Sequence, residues 1–351
     1  MKEELDTPAV LIDMDIVKKN IQAYQKYCNR VGISLRPHIK THKIPELAKL
    51  QLNEGAAGIT CQKISEAEAI ISEGGISDIF ITYNIIGQKK LMALKKLSKR
   101  ANISVVTDSM YCLEGLSRVF EDSEKKLRVL VECDTGAKRC GVISPSAALK
   151  LAKAISLNTN LIFGGLMTYP PISEPEKVNT FLTEAKQLIE KNRIVVETIS
   201  IGGSPDMWNV EDIPIANEYR IGTYIFNDRS LLHRGVCEER DCALTVLATV
   251  VSTPTEYRAI IDAGSKVLTS DLFGLTGYGK VINEPHLKIC QLTEEHGTIT
   301  SDNPTGLKIG QQLKIIPNHA CVVTNMLDSV IFVENGIPIK HQKVIARGKV
   351  W

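Results

Sequence analysis

The stretch from Arg36 to Lys43, RPHIKTHK, concentrates cationic and titratable side chains within a few residues. The apolar run before it predicts a β-strand, and Pro45 favours a helix that begins shortly after it. A lysine amine crowded by other cations becomes a nucleophile that can form a Schiff base. Lys40 is therefore the candidate for covalent chemistry. The alternative is a solvated basic loop, because short motifs also match by chance.

Strands and helices alternate over the residues that carry and follow this stretch. An even repeat of eight strands with helices between them fits a (β/α)₈ barrel. A doubly wound sheet is the alternative, but its Gly-x-Gly-x-x-Gly fingerprint is absent after the first strand. The eight predicted strands cover residues 33–35, 57–61, 78–82, 103–107, 127–133, 161–167, 198–201 and 218–221.

The pattern changes after about Leu232, where helical periodicity gives way to short β-rich runs separated by Gly, Pro, Asn and Asp. This predicts a mostly antiparallel β domain at residues 233–351, and a barrel domain at 13–232. A first strand at residues 9–12 lies outside the eightfold count and could pair with the β domain. The predicted runs are 243–252, 259–263, 288–293, 314–316, 329–334 and 343–346.

Active sites of barrels lie at the C-terminal ends of the strands. The first predicted strand leads to Lys40, the fifth to a loop with Arg139, and the sixth to Tyr169. The seventh and eighth lead to glycine-containing loops, whose backbone N–H groups and hydroxyls suit a phosphate, although each could be an ordinary turn. The candidate phosphate-binding residues are Gly202, Gly203, Ser204, Gly222, Thr223 and Tyr224.

A phosphate site facing a reactive lysine in a barrel suggests pyridoxal 5′-phosphate, whose ring acts as an electron sink. Arg139 would then suit the phenolate oxygen of the ring as a permanent cation, or else form a surface ion pair. Tyr169 could stack on the ring or donate its hydroxyl, or be an ordinary half-buried tyrosine.

A second candidate site is His319 with Cys321, two residues apart in a segment, 315–324, that we predict to be extended. In an extended segment both side chains face one side. Imidazole with thiolate is a zinc-type pair, and two protein ligands would leave positions open for water and substrate. The alternative is a structural histidine beside a buried thiol.

Composition limits the other functions. The net charge of +2 implies neither a nucleic-acid nor an anionic-membrane partner. No stretch approaches the roughly 20 apolar residues of a membrane span, and from the first residues we expect no signal peptide. The nine cysteines lack the spacing of a disulfide framework, so we expect a cytoplasmic protein with reduced thiols.

The pattern RPHxKTHK resembles the cofactor-lysine motif of the D-threonine aldolase and eukaryotic-type D-serine dehydratase family, fold-type III pyridoxal-phosphate enzymes related to alanine racemase. The resemblance spans nearly the whole chain. The further matching motifs are TPAVLID at Thr7–Asp13, DAGSK at Asp262–Lys266, EEHG at Glu294–Gly297, PNHAC at Pro317–Cys321 and ARG at Ala346–Gly348.

The resemblance implies a role for each candidate. Lys40 would carry the cofactor as a Schiff base and Arg139 would contact the ring oxygen. Tyr169 would face the ring as the second catalytic residue. Arg220 matches the place where alanine racemases put an arginine on the pyridine nitrogen. Members with Asp at the second metal position suit harder ions.

The cysteine in the pair His319 and Cys321 favours zinc, with manganese or magnesium as alternatives. The implied function is a pyridoxal-phosphate- and metal-dependent lyase for D-β-hydroxy-α-amino acids. We favour a D-threonine aldolase, which yields glycine and an aldehyde. The alternatives are a D-serine dehydratase, which yields pyruvate and ammonia, an amino-acid racemase, and a non-catalytic carrier of the cofactor. The resemblance also implies a homodimer with its active site near the subunit interface.

Overall fold

The computed structural model describes residues 5–351. The α-helices of these residues are α1 (Met14–Val31), α2 (Pro45–Asn53), α3 (Ile64–Ser72), α4 (Gln88–Ser98), α5 (Met110–Phe120), α6 (Pro145–Ser156), α7 (Pro175–Lys191), α8 (Arg229–His233), α9 (Ser265–Leu268) and α10 (Ala320–Met326).

The strands of the same residues begin with β1 (Ala9–Asp13), which precedes the barrel. The barrel strands are β2 (Ser34–Leu35), β3 (Ile59–Cys61), β4 (Asp78–Asn84), β5 (Asn102–Thr107), β6 (Leu127–Cys133), β7 (Leu161–Thr168), β8 (Thr198–Gly202) and β9 (Glu218–Arg220). The later strands are β10 (Leu244–Thr255), β11 (Arg258–Ile261), β12 (Lys280–Val281), β13 (Lys288–Leu292), β14 (Gly297–Thr300), β15 (Gln312–Ile316), β16 (Ser329–Glu334) and β17 (Ile337–Lys343).

The described chain divides into two compact units. One contains the residues up to Ala23, Thr41–Ile44 and Thr223–Gly348, and the other contains Tyr24–Lys40, Pro45–Gly222 and Lys349–Trp351. We call them the β unit and the barrel unit. The domain boundary between residues 232 and 233 stays a prediction.

In the barrel unit, β2 to β9 form one parallel sheet in the order β2-β9-β8-β7-β6-β5-β4-β3. A parallel bridge between His38 and Thr60 joins the two ends of this sheet. The Thr60 amide there donates to the Pro37 carbonyl at 2.7 Å. All eight predicted strands are present, with bounds that differ by no more than two residues, so the predicted barrel fold is confirmed.

Local capping explains where several barrel helices begin. The Ser109 hydroxyl accepts the Cys112 amide at 3.3 Å before α5. Ser144 does the same for Ala147 at 3.2 Å before α6, which has Pro145 in its first turn. These side chains satisfy amide groups that have no partner within the helix.

The barrel is filled by side chains and by a close approach of backbones. Phe80, Val106, Leu130 and Met167, on four successive strands, form one buried cluster. A β-bulge in β7 places Gly165 at φ 122°, where a Cβ would lie 2.0 Å from the Thr198 carbonyl oxygen. Only glycine fits this contact without a shift of the backbone.

The β unit is built on a mixed, mostly antiparallel sheet. Its order is β13-β14-β11-β10-β1-β16-β17, with β15 paired to β10 and β12. The first strand, β1, pairs antiparallel with β10 and parallel with β16. Leu11, Leu247, Ile331 and Val333 pack together across these strands. The predicted β domain and its pairing with the first strand are confirmed.

Two predictions for this unit are wrong. Residues 315–324 are not extended, because β15 ends at Ile316 and α10 begins at Ala320. The β-branched residues of α10 favour a strand locally, but the Asp228 carboxylate accepts the Ala320 amide at 3.1 Å and so satisfies the helix start. The last strand is Ile337–Lys343 rather than 343–346, and β12 and β14 were not predicted. None of these three strands shows the continuous apolar pattern that marked the other strands.

Among residues 5–351, none of the helices has the length and the hydropathy that crossing a membrane requires.

Replacing Gly165 by alanine should lower the free energy of unfolding by about 2–4 kcal/mol, because the new Cβ would collide with the Thr198 backbone. Gly74→Ala is the matched control. Gly74 has a φ of 72°, but a Cβ there meets no atom within 4 Å, so only the conformational penalty of about 1–2 kcal/mol applies. Urea unfolding measures both variants, and equal losses would contradict this account of the bulge.

Candidate active site

Lys40 lies in a single 3₁₀ turn, Ile39–Thr41, that follows the first barrel strand. Its side chain is exposed, and its amide donates to His38 Nδ1 at 3.4 Å. His38 Nε2 lies 3.0 Å from Gln62 Oε1. Because Nδ1 accepts, the ring proton is assigned to Nε2, which donates to Gln62. The imidazole therefore shapes the turn that carries Lys40.

His38 is buried among positive charges. Burial holds the pKa of His38 well below its usual range, and the charges of Lys40, Arg220 and Arg139 lower it further, against a hydrogen bond to Gln62 that raises it. The imidazole is therefore neutral at neutral pH. The charges of Lys40, Arg139 and Arg220 thus all affect His38 in the barrel unit. Their combined positive potential would attract an anion.

The loops after β6, β7 and β8 meet near Tyr169. The Arg139 Cζ atom lies 4.5 Å from the centre of the Tyr169 ring. Tyr169 Cε2 also lies 3.9 Å from the position that a Cβ of Gly203 would take. A guanidinium, an aromatic ring and a glycine loop therefore converge, as the prediction from strand ends requires.

Arg220 is buried and held rigidly. Its Nε donates to Ser200 Oγ at 2.8 Å and its Nη2 donates to the Thr168 carbonyl at 2.7 Å. Burial lowers the pKa of Arg220 to about 10, against the charges of Glu218 and Glu132, so it stays a cation at neutral pH. A buried, fixed cation is preorganised to contact a ligand.

The two predicted phosphate loops differ in which groups they offer. The Gly203 amide donates to the Arg220 carbonyl at 3.2 Å, so it is already engaged, and Ser204 lies next to it, partly exposed. Gly222 precedes the 3₁₀ turn Thr223–Ile225, in which the Tyr224 side chain is only 1% exposed. The role of Tyr224 in the phosphate site stays a prediction.

In the β unit, His319 and Cys321 lie at the start of α10. His319 is the N-cap residue, with φ −140°, and Cys321 lies in the first turn. The Asp271 carboxylate lies 2.6 Å from His319 Nδ1, which would leave Nε2 as the nitrogen available to a metal. The pair is brought together by the helix start and not by an extended segment.

Burial lowers the pKa of His319, but the hydrogen bond and charge of Cys321 and the bond to Asp271 outweigh it and raise that pKa to about 9. Hydroxyls also surround the thiol, since Thr41 Oγ1 lies 3.2 Å and Thr223 Oγ1 3.7 Å from Cys321 Sγ. The pair is therefore set in polar contacts.

Sequence analysis did not identify Asp271, Thr41 or Asp228 as site residues. Each contacts the metal-pair region through a partner that is distant in the chain. Thr41 lies inside the motif RPHIKTHK that contains Lys40. Its place in that motif is the one sequence feature that could have identified Thr41 as a site residue. Asp271 and Asp228 lie outside the matched motifs, and their role depends on the fold.

The chemistry of these groups fits the two cofactors that were predicted. Lys40, Arg139 and Arg220 supply an amine and two cations for a phosphorylated aromatic aldehyde, and Tyr169 supplies a ring face. His319 and Cys321 supply nitrogen and sulfur donors for a zinc-type ion. Among residues 5–351 no cluster of three or more His, Cys, Asp or Glu side chains could hold a metal.

Two family descriptions match the chain. "Alanine racemase, N-terminal domain" matches residues 12–230, and "Putative serine dehydratase domain" matches residues 243–333.

Two sequence relatives are aldolases. The chain is 31% identical to a D-threonine aldolase of Arthrobacter sp, over 98% of this chain and 93% of the relative. It is 30% identical to a 3-hydroxy-D-aspartate aldolase of Paracoccus denitrificans (strain Pd 1222), over 99% of this chain and 94% of the relative.

Solved structures agree in fold. The D-threonine aldolase from Filomicrobium marinum has a TM-score of 0.89 at 28% identity and covers 99% of this chain and 97% of its own. A metal-free D-threo-3-hydroxyaspartate dehydratase with a cysteine replaced by alanine has a TM-score of 0.88 at 25% identity, covering 97% of both chains. A variant of that enzyme with a histidine two positions earlier replaced by alanine has a TM-score of 0.90 at 25% identity, covering 98% of this chain and 96% of its own.

The alanine racemase match covers more than half of the chain, and the Arthrobacter relative matches nearly all of it at 31% identity. The chain therefore belongs to the D-threonine aldolase and D-serine dehydratase family of fold-type III, alanine racemase-like pyridoxal-phosphate enzymes.

Proposed function

We propose that this protein is a pyridoxal-phosphate- and divalent-metal-dependent lyase that acts on D-β-hydroxy-α-amino acids. The observation that carries the proposal is the pair His319 and Cys321, with Asp271 oriented on the His319 ring. A racemase acts at Cα alone and would leave this pair idle. A lyase that acts on a β-hydroxyl uses a bound metal as a Lewis acid for that oxygen.

In this proposal Lys40 binds the cofactor covalently, and the bound cofactor supplies an electron sink for charge that develops at Cα. Arg139 donates to the ring oxygen, Tyr169 packs on the ring face, and Arg220 lies towards the ring nitrogen. The positive field around His38 supports this assignment, because the cofactor is an anion. The phosphate is assigned to the loops that contain Gly202, Gly203, Ser204, Gly222, Thr223 and Tyr224.

The two lyase reactions need protons moved at different atoms. In dehydration the Lys40 amine would remove the Cα proton, and a metal held by His319 and Cys321 would supply Lewis-acid help to the departing β-hydroxyl. In retro-aldol cleavage the β-hydroxyl loses its proton, and the Cα–Cβ bond then breaks. The residues of the site serve either reaction.

We favour the D-threonine aldolase reaction, supported by the similarity to the Arthrobacter and Filomicrobium enzymes. D-serine dehydratase activity is the second candidate. Cys321 favours it. The two D-threo-3-hydroxyaspartate dehydratase variants replace a histidine and a cysteine that are two positions apart, as His319 and Cys321 are, and the cysteine variant is in the metal-free form. The thiolate also favours zinc over manganese or magnesium.

The proposals for the quaternary structure and for the cellular compartment do not depend on the site geometry. A homodimer with its active site near the subunit interface remains a proposal from the family resemblance. A cytoplasmic location remains a prediction from the cysteine content.

Incubation of the purified holoenzyme with D-threonine should yield acetaldehyde and glycine, because retro-aldol cleavage breaks the Cα–Cβ bond. Product analysis by chromatography measures both, with L-threonine as the matched control that should yield neither. If 2-oxobutanoate and ammonia are the main products, the aldolase assignment is wrong and the dehydratase is favoured. If D-threonine and D-serine give no products at all, the lyase proposal is wrong.

Removal of the divalent metal should abolish turnover and leave the cofactor bound. We expect Cys321→Ala to reduce turnover by about a thousandfold, because loss of a Lewis acid removes several kcal/mol of transition-state stabilisation. Cys290→Ala is the matched control, since Cys290 is an exposed thiol on β13 of the same unit. Metal content by mass spectrometry should fall in the first variant only. Full turnover in a verified metal-free preparation would contradict the metal assignment.

A further inference from the structure

Glu132 is a buried carboxylate that the proposed mechanism does not use. It lies on β6 and is only 3% exposed. Its Oε1 lies 4.0 Å from Arg139 Nη2, and its Oε2 lies 3.5 Å from Asn84 Nδ2. Buried carboxylates are rare unless a cation or strong hydrogen bonds accompany them. Its cationic neighbour at salt-bridge range is the side chain that we assign to the ring oxygen of the cofactor.

The backbone of the loop that carries Arg139 is fixed on both sides of that residue. Asp134 Oδ1 accepts the amides of Gly136 at 2.9 Å and Lys138 at 3.0 Å. Beyond Arg139, the Asp108 carboxylate accepts the Gly141 amide at 3.2 Å. With the backbone held, the direction of the Arg139 guanidinium depends on what its own side chain contacts.

Two groups set that direction. Glu132 lies on one side of the guanidinium, and the Tyr169 ring lies against it with its centre 4.5 Å from Arg139 Cζ. The Arg139 side chain is otherwise 53% exposed, so solvent would not hold it in one orientation. A guanidinium has five donors in a rigid fork, so it can bond a carboxylate and still present donors to a ligand.

We propose that Glu132 is a positioning residue whose carboxylate orients Arg139 over Tyr169 towards the ring oxygen of bound pyridoxal phosphate. This inference rests on the proposed cofactor site. Glu132 does not contact the cofactor, and its effect passes entirely through Arg139.

The charges around Glu132 make this effect sensitive to pH. Burial raises the pKa of Glu132 to about 7, against the Arg139 charge that lowers it. Asp108 and Asp134 raise that pKa, and Arg220 lowers it. The carboxylate is charged above about pH 7 and neutral below it. The orientation of Arg139 is therefore held at higher pH and lost as the pH falls through the neutral range.

The test measures the affinity of the apoprotein for pyridoxal phosphate by absorbance titration at pH 6 and pH 8, which needs no turnover. We expect Glu132→Gln and Arg139→Ala each to weaken binding about tenfold at pH 8, since either change removes the oriented contact of Arg139 with the ring oxygen. The double variant should bind no more weakly than Arg139→Ala. Both single variants should show a smaller difference between the two pH values than the wild type.

Glu197→Gln is the matched control. Glu197 is an exposed carboxylate of the barrel unit, 3.3 Å from the Arg128 guanidinium, and its replacement removes the same charge away from the site. It should leave affinity unchanged at both pH values. Thermal unfolding of each apoprotein separates a loss of fold from a loss of positioning.

Three results would overturn the inference. One is wild-type affinity and pH dependence in Glu132→Gln. The second is an additive loss in the double variant, which would mean that Glu132 does not act through Arg139. If Glu132→Gln does not fold, the exposed Arg139→Ala variant decides, and an unchanged pH dependence there contradicts the inference. Absence of binding by the wild type would instead overturn the proposed cofactor site itself.

Discussion

The barrel closes through a bridge at His38, and the position of Lys40 depends on that closure. The ends of the eight-stranded sheet meet where His38 pairs with Thr60, and the amide of Lys40 bonds to the same imidazole. This arrangement requires a neutral ring, because a charged one would face the three cations Lys40, Arg139 and Arg220. His38 thus joins the ends of the sheet through its backbone and bonds the Lys40 amide through its ring. Because the ring is neutral, it is compatible with the positive potential that would attract an anionic cofactor.

The same short stretch of chain also contributes to the other unit. Thr41 directly follows Lys40, and its hydroxyl lies 3.2 Å from Cys321. Lys43, two residues later, bonds Asn325 on α10 at 2.8 Å. A stretch that carries Lys40 and also contacts Cys321 and Asn325 explains why the motif RPHIKTHK has so many polar residues in so little length. Its buried histidines and threonine do not act as a solvated basic loop.

The sequence predicts the features that depend on local period and on one general rule of barrels. Alternation of strands and helices located all eight barrel strands, and the rule for strand ends selected Lys40, Arg139 and Tyr169. Features that depend on partners far apart in the chain were not predictable. The helix α10 has a strand-like composition and begins where Asp228 satisfies its first amide, and Asp271 reaches His319 from another loop. Nothing in the sequence distinguishes Glu132 from the other residues of its strand, because its burial beside Arg139 depends on the fold.

We propose that Lys40, and no other lysine, forms the covalent link to pyridoxal phosphate. Lys43 is the natural competitor, but it is buried and its amine bonds Asn325. Borohydride reduction of the holoenzyme, followed by digestion and mass spectrometry, locates the pyridoxyl group on a single peptide. We expect the pyridoxyl group on Lys40. A group on Lys43 or on any other lysine, or a protein that carries no group after reduction, would contradict it.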